Sequence, residues 1–276
     1  SDDLGRTWVQ GNGGEPLEHA PNWSSLSFGF VEDKQWVAVD HFATSRFRDR
    51  VYAAWAIFNG FSTKIKFTYS SDRGATFAKP VTLSSPSQTG PANTYVYPAV
   101  DAAGNVYVAY VGWVDSPSAS HTETIFVTRS SDGGKTWGPF VAVAQPGVSS
   151  SCCYANTRFR IGIIENFAAS ETYPDHVYLT WEDYDGQQFD IKFAQSVDGG
   201  LTWSEPIRVN DADPNDQFQP SVAAGPAGGV AVAFYDRREP CPAEPGIRPD
   251  SVGRTNFCID VTLQAFKDAG AGAVPV

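Results

Sequence analysis

The chain has 276 residues, a formal net charge of −11, 13% aromatic residues, 25 glycines and 19 prolines. The acidity argues against a nucleic-acid backbone or an anionic membrane surface as partner, and no apolar run is long enough to span a bilayer. The length allows a sizeable core, and the glycine and proline content favours many short strands joined by turns.

One pattern, S-x-D-x-G-x-T-W, recurs along the chain, with phenylalanine replacing tryptophan in the second copy. The copies cover residues 1–8, 70–77, 130–137 and 196–203. Serine and aspartate side chains bond nearby backbone N–H groups and hold tight turns, and glycine permits a positive φ. The threonine and the aromatic residue open a strand with a large apolar anchor. We therefore predict a structural role in four equivalent turns for Asp3, Asp72, Asp132 and Asp198.

Runs rich in β-branched and aromatic residues flank these turns, three before each of the last three turns and one after it. The predicted strands cover 36–40, 51–56, 65–69 and 81–83 in the first unit, 97–100, 106–110, 125–128 and 140–143 in the second, 159–163, 177–181, 191–194 and 207–209 in the third, and 220–223, 230–235 and 259–263 in the fourth. The fourth unit lacks the turn motif and the last strand. No segment shows a helical period.

Four antiparallel strands per repeat are typical of a β-propeller blade. We predict an all-β fold, a single β-propeller domain over residues 1–276 with about four visible blades. The chain starts inside a repeat, so we expect a processed or trimmed N-terminus. Two arrangements remain open. Either residues 1–8 supply the missing strand and close a four-bladed ring, or the chain is part of a larger propeller.

The four cysteines are Cys152, Cys153, Cys241 and Cys258. They allow three pairings and fit no common zinc spacing. The simplest pairing joins Cys241 to Cys258, with Cys152 and Cys153 either bonded to each other or free. Cross-pairing is the alternative. Disulfide bonds predict a secreted protein. No cofactor is expected, with structural calcium as a minority alternative.

The blade pattern sorts the loops into two faces. The S-x-D-x-G-x-T-W turns lie on one face. The opposite face, here called the mouth, is formed by the links that enter each blade and the loops between the second and third strands. The links contain residues 33–35, 93–95, 156–160 and 216–219, and the loops contain residues 58–59, 113–115, 182–185 and 235–238. Arginines, carboxylates and tyrosines converge there, which is typical of a polar ligand site.

The four turns resemble the Asp-boxes of the sialidase-like (BNR-repeat) β-propellers. That family holds the sugar carboxylate with three arginines. It uses a tyrosine activated by a glutamate as nucleophile, and an aspartate as acid/base. The resemblance implies substrate binding by Arg158, Arg160, Arg237 and Arg238. It implies Tyr235 or Tyr184 as nucleophile, Glu182 as its base, and Asp33 or Asp236 as acid. Trp113 is the tryptophan we expect to contact a sugar.

The sequence thus predicts a secreted exo-glycosidase, sialidase-like, acting on a glycan at the mouth. The first alternative is a non-catalytic propeller that binds a carbohydrate, a different polar ligand or a protein. The second alternative is a structural module of an extracellular assembly. Arginines that converge on a tyrosine–glutamate pair would favour the enzyme, whereas arginines neutralised by neighbouring carboxylates would favour the alternatives. The proline-rich segment between Cys241 and Cys258 is expected to fold over the mouth, where it would either shape the ligand site or cover an exposed strand edge.

Overall fold

A computed structural model describes residues 3–18, 30–59, 62–116, 119–154, 157, 159–162, 165–211, 215–239 and 258–276. The strands are β1 (Phe30–Val39), β2 (Val51–Asn59), β3 (Thr63–Ser70), β4 (Val81–Thr82), β5 (Ala92–Val100), β6 (Val106–Ser116), β7 (Ala119–Ser130), β8 (Val141–Ala144), β9 (Glu165–Ala169), β10 (Val177–Tyr184), β11 (Phe189–Ser196), β12 (Ile207–Arg208), β13 (Gln217–Ala224), β14 (Gly229–Asp236), β15 (Asp260–Asp268) and β16 (Ala273–Pro275). Within the described residues, helical structure is limited to single turns at Gly11–Gly14, Pro86–Thr89 and Pro226–Gly228, and no helix there is long and apolar enough to cross a membrane.

The strands form four antiparallel four-stranded sheets, each in chain order: β1 to β4, β5 to β8, β9 to β12, and β13 to β16. We call them blades 1 to 4. The first strands of consecutive blades pack against one another, so β1, β5, β9 and β13 lie innermost. This confirms the β-propeller fold class. Among the described residues no comparable packing joins blade 4 to blade 1, so the sheets form an open arc.

Two details of the predicted strands were wrong. The first strand of blade 3 is β9 (Glu165–Ala169), not residues 159–163, which lie in the link that enters the blade. The outermost strand of blade 4 is β16, where Pro275 pairs with Phe266 of β15. Residues 3–8, the described part of the first turn motif, contain no strand, and β16 occupies the position in blade 4 that residues 1–8 were expected to fill.

The core consists mainly of three apolar clusters, each between two consecutive blades. The third strand of each blade carries two apolar residues, seven and five positions before the turn aspartate. In blades 1 to 3 both side chains of the pair are buried: Ile65 and Phe67, Ile125 and Val127, Ile191 and Phe193. The pair lies on what we call the forward face, which packs on the next blade. Strand alternation allows this because successive side chains point to opposite faces of a sheet.

Each predicted turn is held by its aspartate. In the third copy Asp132 Oδ1 accepts from Thr136 N at 2.9 Å, and Oδ2 accepts from Thr136 Oγ1 at 2.6 Å. The Ser130 hydroxyl donates to Asp132 and accepts from Gly134 N. The aspartate–threonine bonds recur at Asp3, Asp72 and Asp198. These carboxylates are occupied by their own turns. No group of three or more histidine, cysteine, aspartate or glutamate side chains among the described residues is placed to hold a metal ion.

The turns also connect neighbouring blades. Arg50 of blade 1 donates to the carbonyl of Gly133 at 2.7 Å, and Trp137 packs edge-on against Phe67 of blade 1 with ring centroids 4.7 Å apart. Between blades 2 and 3, Arg129 of β7 pairs with Asp175 at 2.6 Å, and the carbonyl of Asp175 accepts from Gly199 N in the turn of blade 3. The aromatic residue at the end of the motif therefore helps to hold one blade on the preceding one.

Blade 4 has a counterpart of these turns that the motif did not reveal. Asp268 lies seven residues after Val261, just as Asp132 lies seven residues after Ile125. Its Oδ1 accepts from Gly270 N at 2.7 Å and Gly272 N at 3.2 Å. Its Oδ2 accepts from Tyr178 Oη at 2.6 Å and lies 2.6 Å from His176 Nδ1, both in blade 3. Because the partners are backbone amides and another blade, no serine or threonine is needed.

Replacing Asp132 with asparagine is expected to lower Tm near pH 7. The further decrease of Tm in acid should be smaller in this variant than in the native chain. Burial alone would raise the pKa of Asp132, but hydrogen bonds from Thr136 and Ser130 outweigh burial and lower the pKa to about 2. The depressed pKa adds stability above the ordinary value of 3.8 that is lost as pH falls towards about 2. Melting curves across this range test the prediction, with exposed Glu205→Gln as control. Equal acid sensitivity of the variant and the native chain would contradict it.

Candidate functional site

The mouth lies at the start of the first and third strands of each blade and at the end of the second. Three of the four innermost strands carry a bulge there, between Asp33 and Trp36, Thr94 and Tyr97, and Phe218 and Ser221. Each bulge holds a non-glycine residue at positive φ: Lys34 at 57°, Tyr95 at 51° and Gln219 at 50°. Such conformations cost free energy and cluster at functional sites, where bulges redirect side chains.

The central pair of the mouth is Tyr154 and Glu182. Tyr154 lies in the link before blade 3, where its amide donates to the carbonyl of Phe159. Glu182 lies near the end of β10. The Tyr154 hydroxyl donates to Glu182 Oε2 at 2.6 Å, and the amide of Gln219 donates to the same oxygen at 2.9 Å. The tyrosine ring stacks on Phe218, with centroids 4.1 Å apart.

Burial raises the pKa values of both members of this pair. The Tyr154 side chain is 1% exposed, and burial followed by the charge of Glu182 raises its pKa well above the ordinary value. Burial also raises the pKa of Glu182 to about 7, although hydrogen bonds from Tyr154 and Gln219 oppose the shift. A carboxyl with a pKa near neutrality that accepts a bond from a phenol is suited to general-base chemistry.

Glu182→Gln is expected to remove a pH dependence of stability. The pKa of Glu182 is raised from 4.5 to about 7. Between these values the unfolded chain releases the proton and the folded chain retains it, so stability falls as pH rises. A glutamine keeps an acceptor for Tyr154 but does not titrate, so its Tm should decline less between about pH 4.5 and pH 7. Glu205→Gln serves as the matched control, and an unchanged decline in Glu182→Gln would refute the assignment.

A cleft of about 210 Å³ lies beside β1 and β5 and contains the predicted acid, Asp33. Lys34, Trp36, Tyr95 and Tyr97 contribute to its walls. The Lys34 ammonium lies 3.5 Å from Asp33 and 5.3 Å from the centre of the Tyr95 ring. Aromatic faces with a carboxylate and an ammonium offer stacking and hydrogen-bonding partners of the kind a sugar uses.

The predicted arginines do not all converge on the pair. Arg237 is buried and bonds Asp216 at 3.1 Å. Arg238 bonds Asp236 at 2.5 Å and Asp211 at 2.8 Å. Arg160 is exposed, pairs as a β-bridge with Cys153, and lies close enough to Tyr95 to affect the pKa of that phenol. Arg158 lies outside the described residues. Two of the four are thus neutralised by carboxylates of blade 4 and the link before it.

The other predicted catalytic residues make no described hydrogen bond to the tyrosine–glutamate pair. The Tyr235 ring contacts Phe218 at a tilt, with centroids 5.6 Å apart, and lines a groove on the open side of blade 4. Tyr184 donates to the carbonyl of Gly186. The tyrosine bonded to Glu182 is therefore Tyr154, not the two expected residues. Burial would raise the pKa of Asp236, but bonds from Gln217, Thr262 and Arg238 lower it, which suits a carboxylate rather than an acid.

Two further acidic residues lie at the mouth. Trp113 donates its indole N–H to Glu123 at 3.0 Å. Glu165, the first residue of β9, is fully buried, and neither carboxyl oxygen has a hydrogen-bond partner among the described residues. Burial raises the pKa of Glu165 well above its ordinary value.

Sequence reasoning missed Tyr154 and Glu165 for one reason. Both belong to the region around the start of blade 3, where the inner strand was predicted six residues too early, over 159–163 rather than Glu165–Ala169. The alternation of Glu165, Phe167 and Ala169, all buried, is the signal that would have located the strand.

The cysteines match the simplest prediction where the structure describes them. Cys152 and Cys153 form a disulfide bond with each other, directly before Tyr154. Cys258 is disulfide-bonded, while Cys241 and most of the segment expected to cover the mouth lie outside the described residues. The covering role of that segment stays a prediction.

Comparison with solved structures identifies relatives in fold. An α-L-arabinanase from Penicillium chrysogenum, complexed with arabinobiose, superposes with a TM-score of 0.54 at 14% identity, covering 90% of this chain and 67% of the arabinanase. A leech intramolecular trans-sialidase, complexed with 2,7-anhydro-Neu5Ac, gives a TM-score of 0.54 at 10% identity, with 100% of this chain and 54% of that one. An ulvan lyase, which is a polysaccharide lyase, gives a TM-score of 0.50 at 10% identity, covering 82% of this chain and 52% of the lyase.

The chain thus spans about half the length of the trans-sialidase and the lyase. At these sequence identities the similarity establishes the propeller fold only. Any activity has to be argued from the side chains of this chain. No protein-family model matches the sequence, and no curated protein was found to be similar to it.

Proposed function

We propose that this protein is a secreted, glycan-active β-propeller whose mouth hydrolyses glycosides by a sialidase-like mechanism. One observation carries the proposal: a buried tyrosine donates a 2.6 Å hydrogen bond to a glutamate whose pKa is about 7. The resemblance of the four turns to Asp-boxes and the fold of the carbohydrate-active neighbours support it. The disulfide bonds support an extracellular location.

In this proposal Glu182 accepts the phenolic proton while Tyr154 Oη attacks the anomeric carbon. Asp33, in the cleft, donates a proton to the leaving oxygen. Water then displaces the sugar from Tyr154, with Asp33 as base and Glu182 returning the proton to the phenol. Tyr154 is almost fully buried without a ligand, so neighbouring side chains must move when substrate binds. Catalytic hydrogen bonds commonly reach their working geometry only in the complex.

The substrate class is tested with a panel of fluorogenic glycosides that includes a sialoside and an arabinoside. Arg160→Ala is expected to lower kcat/KM for the sialoside by at least about tenfold, because its exposed guanidinium at the mouth can bind a substrate carboxylate. The neutral glycosides should be unaffected. If a folded sample hydrolyses none of the glycosides in the panel, the proposal of a hydrolase is rejected.

A non-catalytic glycan-binding propeller is the second candidate. Arg237 and Arg238 are already paired with Asp216, Asp236 and Asp211, which is the arrangement expected of a structural network. For this candidate, calorimetry with the same sugars would show binding without turnover, and binding would fall when Trp36→Ala removes an aromatic wall of the cleft.

A further inference from the structure

The forward face of blade 4 differs from the same face of the other three blades. Val261 and Leu263 of β15 occupy the positions of Ile65 and Phe67, seven and five residues before the turn aspartate. Those side chains and their counterparts in blades 2 and 3 are at most 1% exposed, whereas Val261 is 71% and Leu263 is 62% exposed. Tyr235 lies beside them and, with Val261, lines a groove of about 200 Å³.

The opposite edge of the arc has a matching apolar surface. Val37 and Val39 of β1 lie in the same register as Pro98 and Val100 of β5. Val100 is buried against the forward face of blade 1. Val37 and Val39 are 57% and 47% exposed, on the side of blade 1 that faces away from blade 2. This surface is called the rear face of blade 1.

The chain itself shows what covers such surfaces. Between blades 1 and 2, 2 and 3, and 3 and 4, a forward face packs on the rear face of the following blade. Blade 4 and blade 1 present the two halves of the same contact, unused, on one molecule. Exposed apolar surfaces of this kind mark interaction sites because burying them releases the free energy of apolar hydration.

We propose that the forward face of blade 4 binds the rear face of blade 1 of a second copy of this chain. The contact is heterologous, since different surfaces meet, so two copies either close on each other or leave two free faces for further copies. The charge of −11 is carried by every copy, so association should strengthen as salt screens the repulsion.

The test measures the molar mass of the full chain by sedimentation and light scattering over a wide range of concentration. The mass of the native chain is expected to rise with concentration. Leu263→Asp and Val37→Asp should each weaken association by at least about tenfold, because each places a charge at the centre of an apolar contact. Leu201→Asp alters a leucine of similar exposure, 57%, in the turn of blade 3, and should change nothing. Circular dichroism establishes that each variant is folded.

Mixing the two defective variants distinguishes the proposed geometry from a symmetric one. A Leu263→Asp copy keeps its blade 1 face, and a Val37→Asp copy keeps its blade 4 face, so the mixture should recover one intact contact and form pairs. Native chain that is monomeric throughout would overturn the proposal. So would a mixture that stays monomeric, or an equal effect of Leu201→Asp.

Discussion

Tyr154→Phe is expected to lower kcat on the glycoside substrate by at least about 100-fold, because it removes the proposed nucleophile. The hydroxyl donates to Glu182 at 2.6 Å and is the proposed nucleophile. The ring stacks on Phe218 and meets Phe189 edge-on, and both contacts persist in phenylalanine. Binding of substrate should therefore change little, and the loss should appear in kcat.

Tyr184→Phe is the matched control. Tyr184 contacts Phe189 as Tyr154 does, but its hydroxyl donates to the carbonyl of Gly186 in an exposed loop. Its removal should leave kcat within about twofold, a change of less than about 0.5 kcal/mol in the barrier. If both variants retain native turnover, the tyrosine–glutamate pair has a structural role and no catalytic one, and the glycan-binding candidate gains support. If Tyr184→Phe alone is inactive, the nucleophile is misassigned.

Phe67→Ala is expected to destabilise the protein by about 3–5 kcal/mol, the usual loss for a fully buried aromatic side chain. Phe67 is fully buried, stacks on Tyr52 in its own sheet, and contacts Trp137 of the next blade. The truncation removes packing in both places and leaves a cavity between blades. A fall in Tm of several degrees measures the effect.

Phe159→Ala provides the comparison, because Phe159 is an exposed phenylalanine of the link before blade 3. Its truncation should change the free energy of unfolding by less than about 0.5 kcal/mol. Similar losses for the two variants would show that the interface between blades 1 and 2 does not carry the stability assigned to it.

The propeller was predictable because its signals are local and repeated. The serine, aspartate, glycine and threonine of each turn bond one another within a few residues, so their spacing is fixed in the sequence. The turn of Asp268 escaped notice because its partners are glycine amides and two residues of blade 3 that are distant in sequence.

The mouth was predicted as a region, but its pairings were not. Glu182 was identified correctly as a mouth residue, whereas its partner Tyr154 comes from a link whose course is set by contacts with Phe218 and Phe189. Such contacts join residues up to 64 positions apart in the chain, and no local pattern encodes them. The arginines were placed near the mouth, but their engagement by Asp216 and Asp211 depends on the pairing of β13 with β14.

The open arc has a consequence for how the molecule loses structure. Blades that touch only their neighbours behave as a one-dimensional chain of coupled units, in which the end units lack one coupling. Among the described residues of a single copy, blades 2 and 3 are held from both sides and blades 1 and 4 from one. Amide hydrogens of the terminal sheets should therefore exchange with solvent sooner than those of β6 and β10, and fraying should spread inwards from the ends rather than begin at the axis.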